Sequence, residues 1–243
     1  MPNYIQNKLV VKNESSEMID KFIEFISGEE TNFDFNKIIP MPSILKDTIE
    51  GSETDKGLYI YLRENNLLEE YVALSKSIIF PSNEKYNSMS NEELKRLYDI
   101  GEKHFNAYKE TGYFSWYKWC INEWGTKWNA MDTMVYSEDN SATFFFTTAW
   151  CGIPMLIDKL HELFPNLKFE YMYADEDFTC NCGIGFTNEN GEFEFRVIED
   201  NSDEAFKTYI ECWNEDEEDF VRHNGYWTRK EYLGDEFEDE DFE

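Results

Sequence analysis

Near the start of the chain the spacing of apolar residues changes from every second position to a helical repeat. "NYIQNKLVVKN", Asn3 to Asn13, alternates apolar and polar side chains and predicts a strand. Met18, Ile19, Phe22, Ile23 and Ile26 then recur at helical spacing, with Ser15 or Ser16 placed to cap the helix. "FDFNKIIPMP", Phe33 to Pro42, reads as an extended edge segment closed by two prolines that suit neither a helix interior nor a central strand. From residue 43 to 115 the pattern is that of a helical insertion. Leu67, Leu68, Tyr71, Val72 and Leu74 form one stripe, and the "SNEE" capping box at Ser90 to Glu93 opens a second that holds Leu94, Leu97, Tyr98, Phe105 and Tyr108. A third stripe runs through Tyr113, Trp116, Tyr117, Cys120, Ile121 and Trp124.

After Gly125, Trp128 to Ser137 and Ala142 to Thr148 are expected to pair as a hairpin across "SEDNS". Ile153, Leu156, Ile157, Leu160, Leu163 and Phe164 mark a helix opened by Pro154, and "LKFEYMY" is a strand with Phe169, Tyr171 and Tyr173 on one face. Without the insertion the order is βαββαβ, an α+β ferredoxin-like core with an antiparallel sheet and both helices on one face. "TCNCGIGFTNENGEFEFRVI" adds a hairpin turning at Asn190-Gly191. Its expected apolar positions are Cys182, Ile184 and Phe186, then Phe193, Phe195 and Val197. Ala205, Phe206, Tyr209, Ile210 and Trp213 give a last amphipathic helix. The expected organisation is therefore a core of residues 1–42 and 116–198, an insertion at 43–115, and a C-terminal helix with an acidic tail at 199–243. The end of that tail reads as loose or dependent on a partner.

Composition adds one strong feature, a formal net charge of -29 from 51 Asp plus Glu against 22 Lys plus Arg. From Glu199 onward there are 18 acids and 4 bases, so about half of the charge sits in the last fifth of the chain. Such a field repels nucleic acid and steers basic partners toward the protein; the plain alternative is a solubilising tail. Hydrophobic residues make up 41% and aromatics 17%, enough to bury a core. No membrane-length apolar run is present, the first residues are too polar for a signal peptide, and the five cysteines contain no C-x-x-C. The expectation is a cytoplasmic protein with reduced thiols.

Several stretches together carry a family resemblance: "MPNYIQNKL", "IIPMP", "WGTKWNA", "FFFTTAW" followed by a proline and a helix ending "LFPNLKFEYMYADE", and the glycine-containing hairpin. They resemble the YubB-type ferredoxin-like domain family of plasmid- and phage-encoded proteins. The resemblance implies the fold and a mobile-element setting, and it supplies no activity or catalytic residues to carry over. "TTAWCGIP" departs from the usual family pattern, in which prolines follow the "TAW" segment directly, and the acidic tail is a further departure.

No catalytic motif is present: there is no G-x-S-x-G, H-E-x-x-H, P-loop or dinucleotide glycine pattern. Three histidines at no recognised zinc spacing, and Cys180 and Cys182 two apart, call for neither a metal nor any other cofactor. Trp116, Trp119, Trp124, Trp128 and Trp150 could stack bases or another flat ligand, but with only Lys118 and Lys127 nearby core packing is the favoured reading, and Trp124 and Trp128 are expected to be buried. Lys127, between the last two of these in the loop, Trp124 and Trp128, is placed either to snorkel or to make a cation-π contact.

Two function classes follow. The first is a non-enzymatic accessory protein that binds a basic, nucleic-acid-binding protein without contacting nucleic acid itself, plausible as a nucleic-acid-mimicking inhibitor of a host or defence protein. Its contact acids would be Asp216, Glu217, Glu218, Asp219, Asp235, Glu236, Glu238 and Asp239. The second is a ligand-binding or catalytic domain using a cleft between sheet and insertion, with Trp128, Tyr171 and Asp175 as its residues.

Overall fold

The structure, a computed structural model, describes residues 2–69 and 86–233. It divides into two compact units, one of residues 1–40 and 124–243 and the other of residues 41–123.

The first unit is an α+β ferredoxin-like domain. It contains β1 (Tyr4–Lys12), α1 (Ser16–Ile26) and a one-turn α2 (Phe35–Ile38). A six-stranded antiparallel sheet has the order β2-β3-β1-β4-β5-β6, in which β2 is Met131–Glu138, β3 Ser141–Ala149, β4 Lys168–Asp175, β5 Gly183–Thr187 and β6 Phe193–Val197. The first four strands make the ferredoxin-like arrangement and the hairpin β5-β6 widens it, as the alternation predicted.

Register fixes what each face carries. Leu9 stands opposite Phe144 on one side and Tyr171 on the other, and Val11 opposite Ala142 and Phe169, so the odd-numbered residues of β1 share an apolar face. Phe22 of α1 packs edge-on against Phe144 and Phe169, at 5.7 Å from each. Pro154–Leu163 forms the second core helix on the same face, with Ile153, Leu156, Ile157 and Leu160 buried. Leu163, expected in that stripe, is exposed because it ends the helix beyond the sheet contact.

Three expectations are corrected in this unit. Phe33 to Pro42 is not extended throughout: it is interrupted by α2, which Asp34 caps by accepting from the Asn36 N–H, and Phe33 stacks on Phe146 at 4.6 Å. In the outer hairpin, Ile184 and Phe186 do not join the helix-side core. Their neighbours Gly183 and Gly185 do, because the rings of Tyr173, Phe193 and Phe195 lie where their side chains would stand. The C-terminal segment is not loose up to residue 233. Helix Asp203–Trp213 packs on the second face of the sheet, where Phe206 and Tyr209 meet Ala174, Cys182 and Ile198. A small hairpin of β7 (Phe220–His223) and β8 (Tyr226–Arg229) follows. Phe220 and Val221 are buried, and Trp227 stacks on Phe206 with ring centroids 3.8 Å apart. The acidic composition hid three well-placed apolar side chains.

The second unit is helical in its described part. Helices Ser52–Glu64 and Asn91–Thr111 cross where Gly57 meets Gly101; a Cβ on Gly101 would lie 2.0 Å from the Gly57 carbonyl oxygen. Ser90 caps the longer helix as its motif predicted, accepting from the Glu93 N–H at 3.1 Å, and Gly112 ends it at φ +81°. Leu67 and Leu68 lie in the turns after the first of these helices, while Tyr71, Val72 and Leu74 lie outside the described residues. The predicted stripe from Tyr113 to Trp124 is not one helix face, because Tyr113 lies before the helix and Trp124 in the turn after it. The helix there spans only Trp116–Glu123, and its buried residues are Trp119 and Cys120. Burial pushes the Cys120 thiol up to about 12, so it stays protonated.

Candidate functional site

At the end of the sheet where β1 begins and β3 and β4 end, three loops are tied together by buried polar groups. Asn7 lies on the apolar face of β1 and is fully buried. Its amide donates to the carbonyls of Ile5 and Phe146 and to Thr148 Oγ1, and its Oδ1 accepts from the Tyr171 hydroxyl at 2.6 Å. That hydroxyl accepts in turn from the Ile153 N–H at 2.7 Å, and Thr148 Oγ1 donates to the Cys151 carbonyl. The network is closed, as buried polar groups require. It pins the loop that leads from β3 into the second core helix.

A second tie holds the opposite side of that loop. The Asp175 carboxylate, at the end of β4, accepts from Asn3 Nδ2, from the Asp177 N–H and from Asn181 Nδ2 at 3.1, 3.0 and 2.8 Å. Asn181 Nδ2 also donates to the Trp150 carbonyl, and the Trp150 N–H donates to the Asn3 carbonyl. Between these bonds Trp150 is held at φ +70°, a left-handed conformation that is a genuine outlier for a bulky residue and costs on the order of 1–3 kcal/mol. The residue so held is 37% exposed.

"GTKWN" is fixed against the same end. Gly125 turns at φ +77°. Thr126 Oγ1 both donates to the Ala149 carbonyl and accepts from its N–H, standing in for a strand neighbour. Asn129 accepts from the Phe35 N–H and donates to Asp34. Between these anchors lie Lys127 and Trp128. The Lys127 ammonium is 4.4 Å from the Trp128 ring centroid and 5.3 Å from that of Trp150, within cation-π range of both.

The residues named from sequence separate here. Tyr171 and Asp175 are buried and their polar atoms are engaged in the internal bonds just described. Trp128 is not the first residue of β2; it sits half-buried in the loop before it, because Thr126 and Asn129 fix the chain there. Trp124 is buried as expected, its indole N–H donating to the Ile39 carbonyl at 2.9 Å. Of the two courses open to Lys127 it takes the cation-π contact, with Trp128 and with Trp150 as its second indole. Asp216, Glu217, Glu218 and Asp219 are exposed on a short turn between the C-terminal helix and the buried Phe220. The Asp216 side chain caps that turn by accepting from the Glu218 N–H. Asp235, Glu236, Glu238 and Asp239 lie outside the described residues.

Cys180 and Cys182 both precede β5 and do not share a strand face. Cys182 is buried, and burial pushes its thiol up to about 12. The exposed Cys151 thiol is also raised, by desolvation and then by the Asp175 charge, so little of it is thiolate at neutral pH. Among the described residues no group of three or more His, Cys, Asp or Glu is placed to hold a metal ion. His161, which begins "HELFP", has a buried Nε2 without a hydrogen-bond partner, and its ring lies near Phe169 and Phe193. An open groove of about 890 Å³ lies at the far end of the sheet, lined by Lys12, Glu14, Asp139 and Lys168 among others; none of Trp128, Tyr171 or Asp175 lines it.

The fold and this loop end define an α+β ferredoxin-like domain with an aromatic edge. Residues 123–230 match the family described as the ferredoxin-like domain in Api92-like proteins. The matched span begins beside Trp124 and reaches past β8, so it takes in the aromatic edge, the C-terminal helix and the small hairpin. A crystal structure of the protein api92 from Yersinia pseudotuberculosis is similar at 9% identity. The match covers 83% of this chain and 100% of that one with a TM-score of 0.40, too low to add to the fold read above. No curated protein matches the chain. No described helix is long and apolar enough to cross a membrane.

Proposed function

We propose that this is a non-enzymatic accessory protein of a plasmid or phage that binds a basic, nucleic-acid-binding protein through its acidic surface and so competes with nucleic acid. The mobile-element setting is carried by the YubB-type resemblance alone. The binding mode is supported chiefly by the placement of Asp216, Glu217, Glu218 and Asp219: four exposed acids stand on a turn anchored by buried Phe220 and Val221 rather than on a free tail. Carboxylates held at fixed positions in a field of -29 can meet a surface built for phosphates, and ordering them before binding lowers the entropic cost of association.

The test compares the wild-type chain with Asp216→Asn/Glu217→Gln/Glu218→Gln/Asp219→Asn in capture of basic proteins from a bacterial lysate at about 50 mM and about 500 mM salt, a range over which screening shortens the reach of charge several-fold. The expected result is capture by the wild type at low salt only, much reduced for the variant, with the captured proteins released by added DNA. Equal capture by both proteins, or capture indifferent to salt and DNA, would overturn the reading.

A further inference from the structure

We propose that Trp128 and Trp150 form a two-indole site for a cationic side chain, lysine or arginine, of a basic partner, and that Lys127 occupies this site in the free protein. The inference rests on the reading above, since it names a point at which a basic partner would be gripped. Three observations carry it. The Lys127 ammonium already lies within reach of both rings, at 4.4 and 5.3 Å, so the arrangement accepts a cation as it stands. Trp150 is kept 37% exposed by a left-handed backbone that Asn3 and Asn181 clamp from two sides, which a ring serving only to fill space would not need. The chain's charge of -29 favours a cation over a nucleobase as the visitor.

An internal occupant makes a prediction of unusual sign. Removing Lys127 takes away a cation that competes for the two rings, so Lys127→Ala should tighten binding of a cationic probe by about two- to five-fold, the worth of one exposed cation-π contact. Lys37→Ala makes the same change in net charge at the exposed end of α2 and controls for it. Trp150→Ala and Trp128→Ala should each weaken binding by about three- to thirty-fold. Should Trp150→Ala fail to fold, Trp150→Leu keeps apolar bulk without a π face and takes its place.

The probe is a fluorescein-labelled hexalysine peptide titrated with the full-length protein and read by anisotropy, beside a labelled Gly-Ser peptide of equal length and a short labelled oligodeoxythymidylate. Support is the opposed pattern, tighter for Lys127→Ala and weaker for the tryptophan variants, confined to the cationic peptide. Two results overturn the two-indole site: tryptophan variants that bind like wild type with Lys127→Ala matching Lys37→Ala, or tryptophan effects confined to the oligonucleotide. If peptide binding then still falls in the four-acid variant, the acidic-surface reading survives. Wild-type protein that binds no cationic peptide defeats both.

Discussion

On one face of the sheet Ile5, Leu9, Val11, Phe144 and Phe169 meet α1 and the Pro154–Leu163 helix; on the other, which also carries Gln6 and Lys8, Met172 and Ile184 meet the C-terminal helix over only part of the width. The first face is dry and aromatic. The second is mixed: Lys8 pairs with Glu211 at 2.7 Å, and toward β2 Met134 and Tyr136 remain 49% and 59% exposed. An apolar face needs only a stripe to cover it, and two short helices supply one. A face that carries lysine and glutamine needs a cover that is itself charged outside and apolar at a few points. That is what the segment from Asp203 to Arg229 provides, with Phe206, Phe220 and Trp227 beneath a surface of Asp and Glu.

The contrast can be broken experimentally, starting from the dry face. Phe22→Ala removes the ring that touches Phe144, Phe164 and Phe169, and should cost about 3 to 5 kcal/mol in denaturant unfolding. Truncation after Trp213 should cost less, about 2 to 4 kcal/mol. It uncovers Phe206 and Tyr209 but also frees chain whose ordering opposed folding. A truncated protein as stable as the full chain would mean that the second face needs no cover. Tyr171→Phe deletes the hydroxyl between Asn7 and the Ile153 N–H and leaves both without that partner, for about 1 to 2 kcal/mol.

The smallest effect belongs to the charged exterior. Arg196 holds the Glu204 carboxyl below its usual range, chiefly by hydrogen bonding. With the folded-state value depressed, the pair stabilises above the unfolded carboxyl's value near 4.5 and that stabilisation is lost as pH falls through the folded value. Both side chains are about half exposed, so Arg196→Ala should change melting at pH 7 only at the edge of detection and flatten the acid limb slightly.

The first face was legible because its residues keep strict periods: β1, α1, β3, the Pro154 helix and β4 follow from alternation or helical spacing. The second was not, because its cover is acidic in composition and its apolar contacts, Phe220, Val221 and Trp227, keep no period. Gly183 and Gly185 concealed a buried position for a related reason: a glycine has no side chain to count, and the rings over it come from other strands. Gly57 likewise interrupts the stripe of the Ser52–Glu64 helix, which went unread. At the candidate site the tryptophans were visible in the sequence, but their pairing was not. Trp128 and Trp150 lie on either side of the β2-β3 hairpin; Trp128 adjoins Lys127 in the chain, and Trp150 comes to it where Thr126 is bonded to Ala149. Asn7 stood in plain view within an apolar alternation, the one signal that could have pointed to the buried network.

Whether the acids stand on a folded surface is tested most directly by amide hydrogen exchange across Phe220–Arg229. In β7 and β8, Phe220 pairs with Arg229 and Val221 with Thr228 over the second face. The account predicts protection of the ladder amides in this hairpin well above that of an open chain, lost when Phe206→Ala removes the ring on which Trp227 stacks. Exchange at open-chain rates in the wild-type protein would contradict it, leaving Asp216 to Asp219 on a solvated tail.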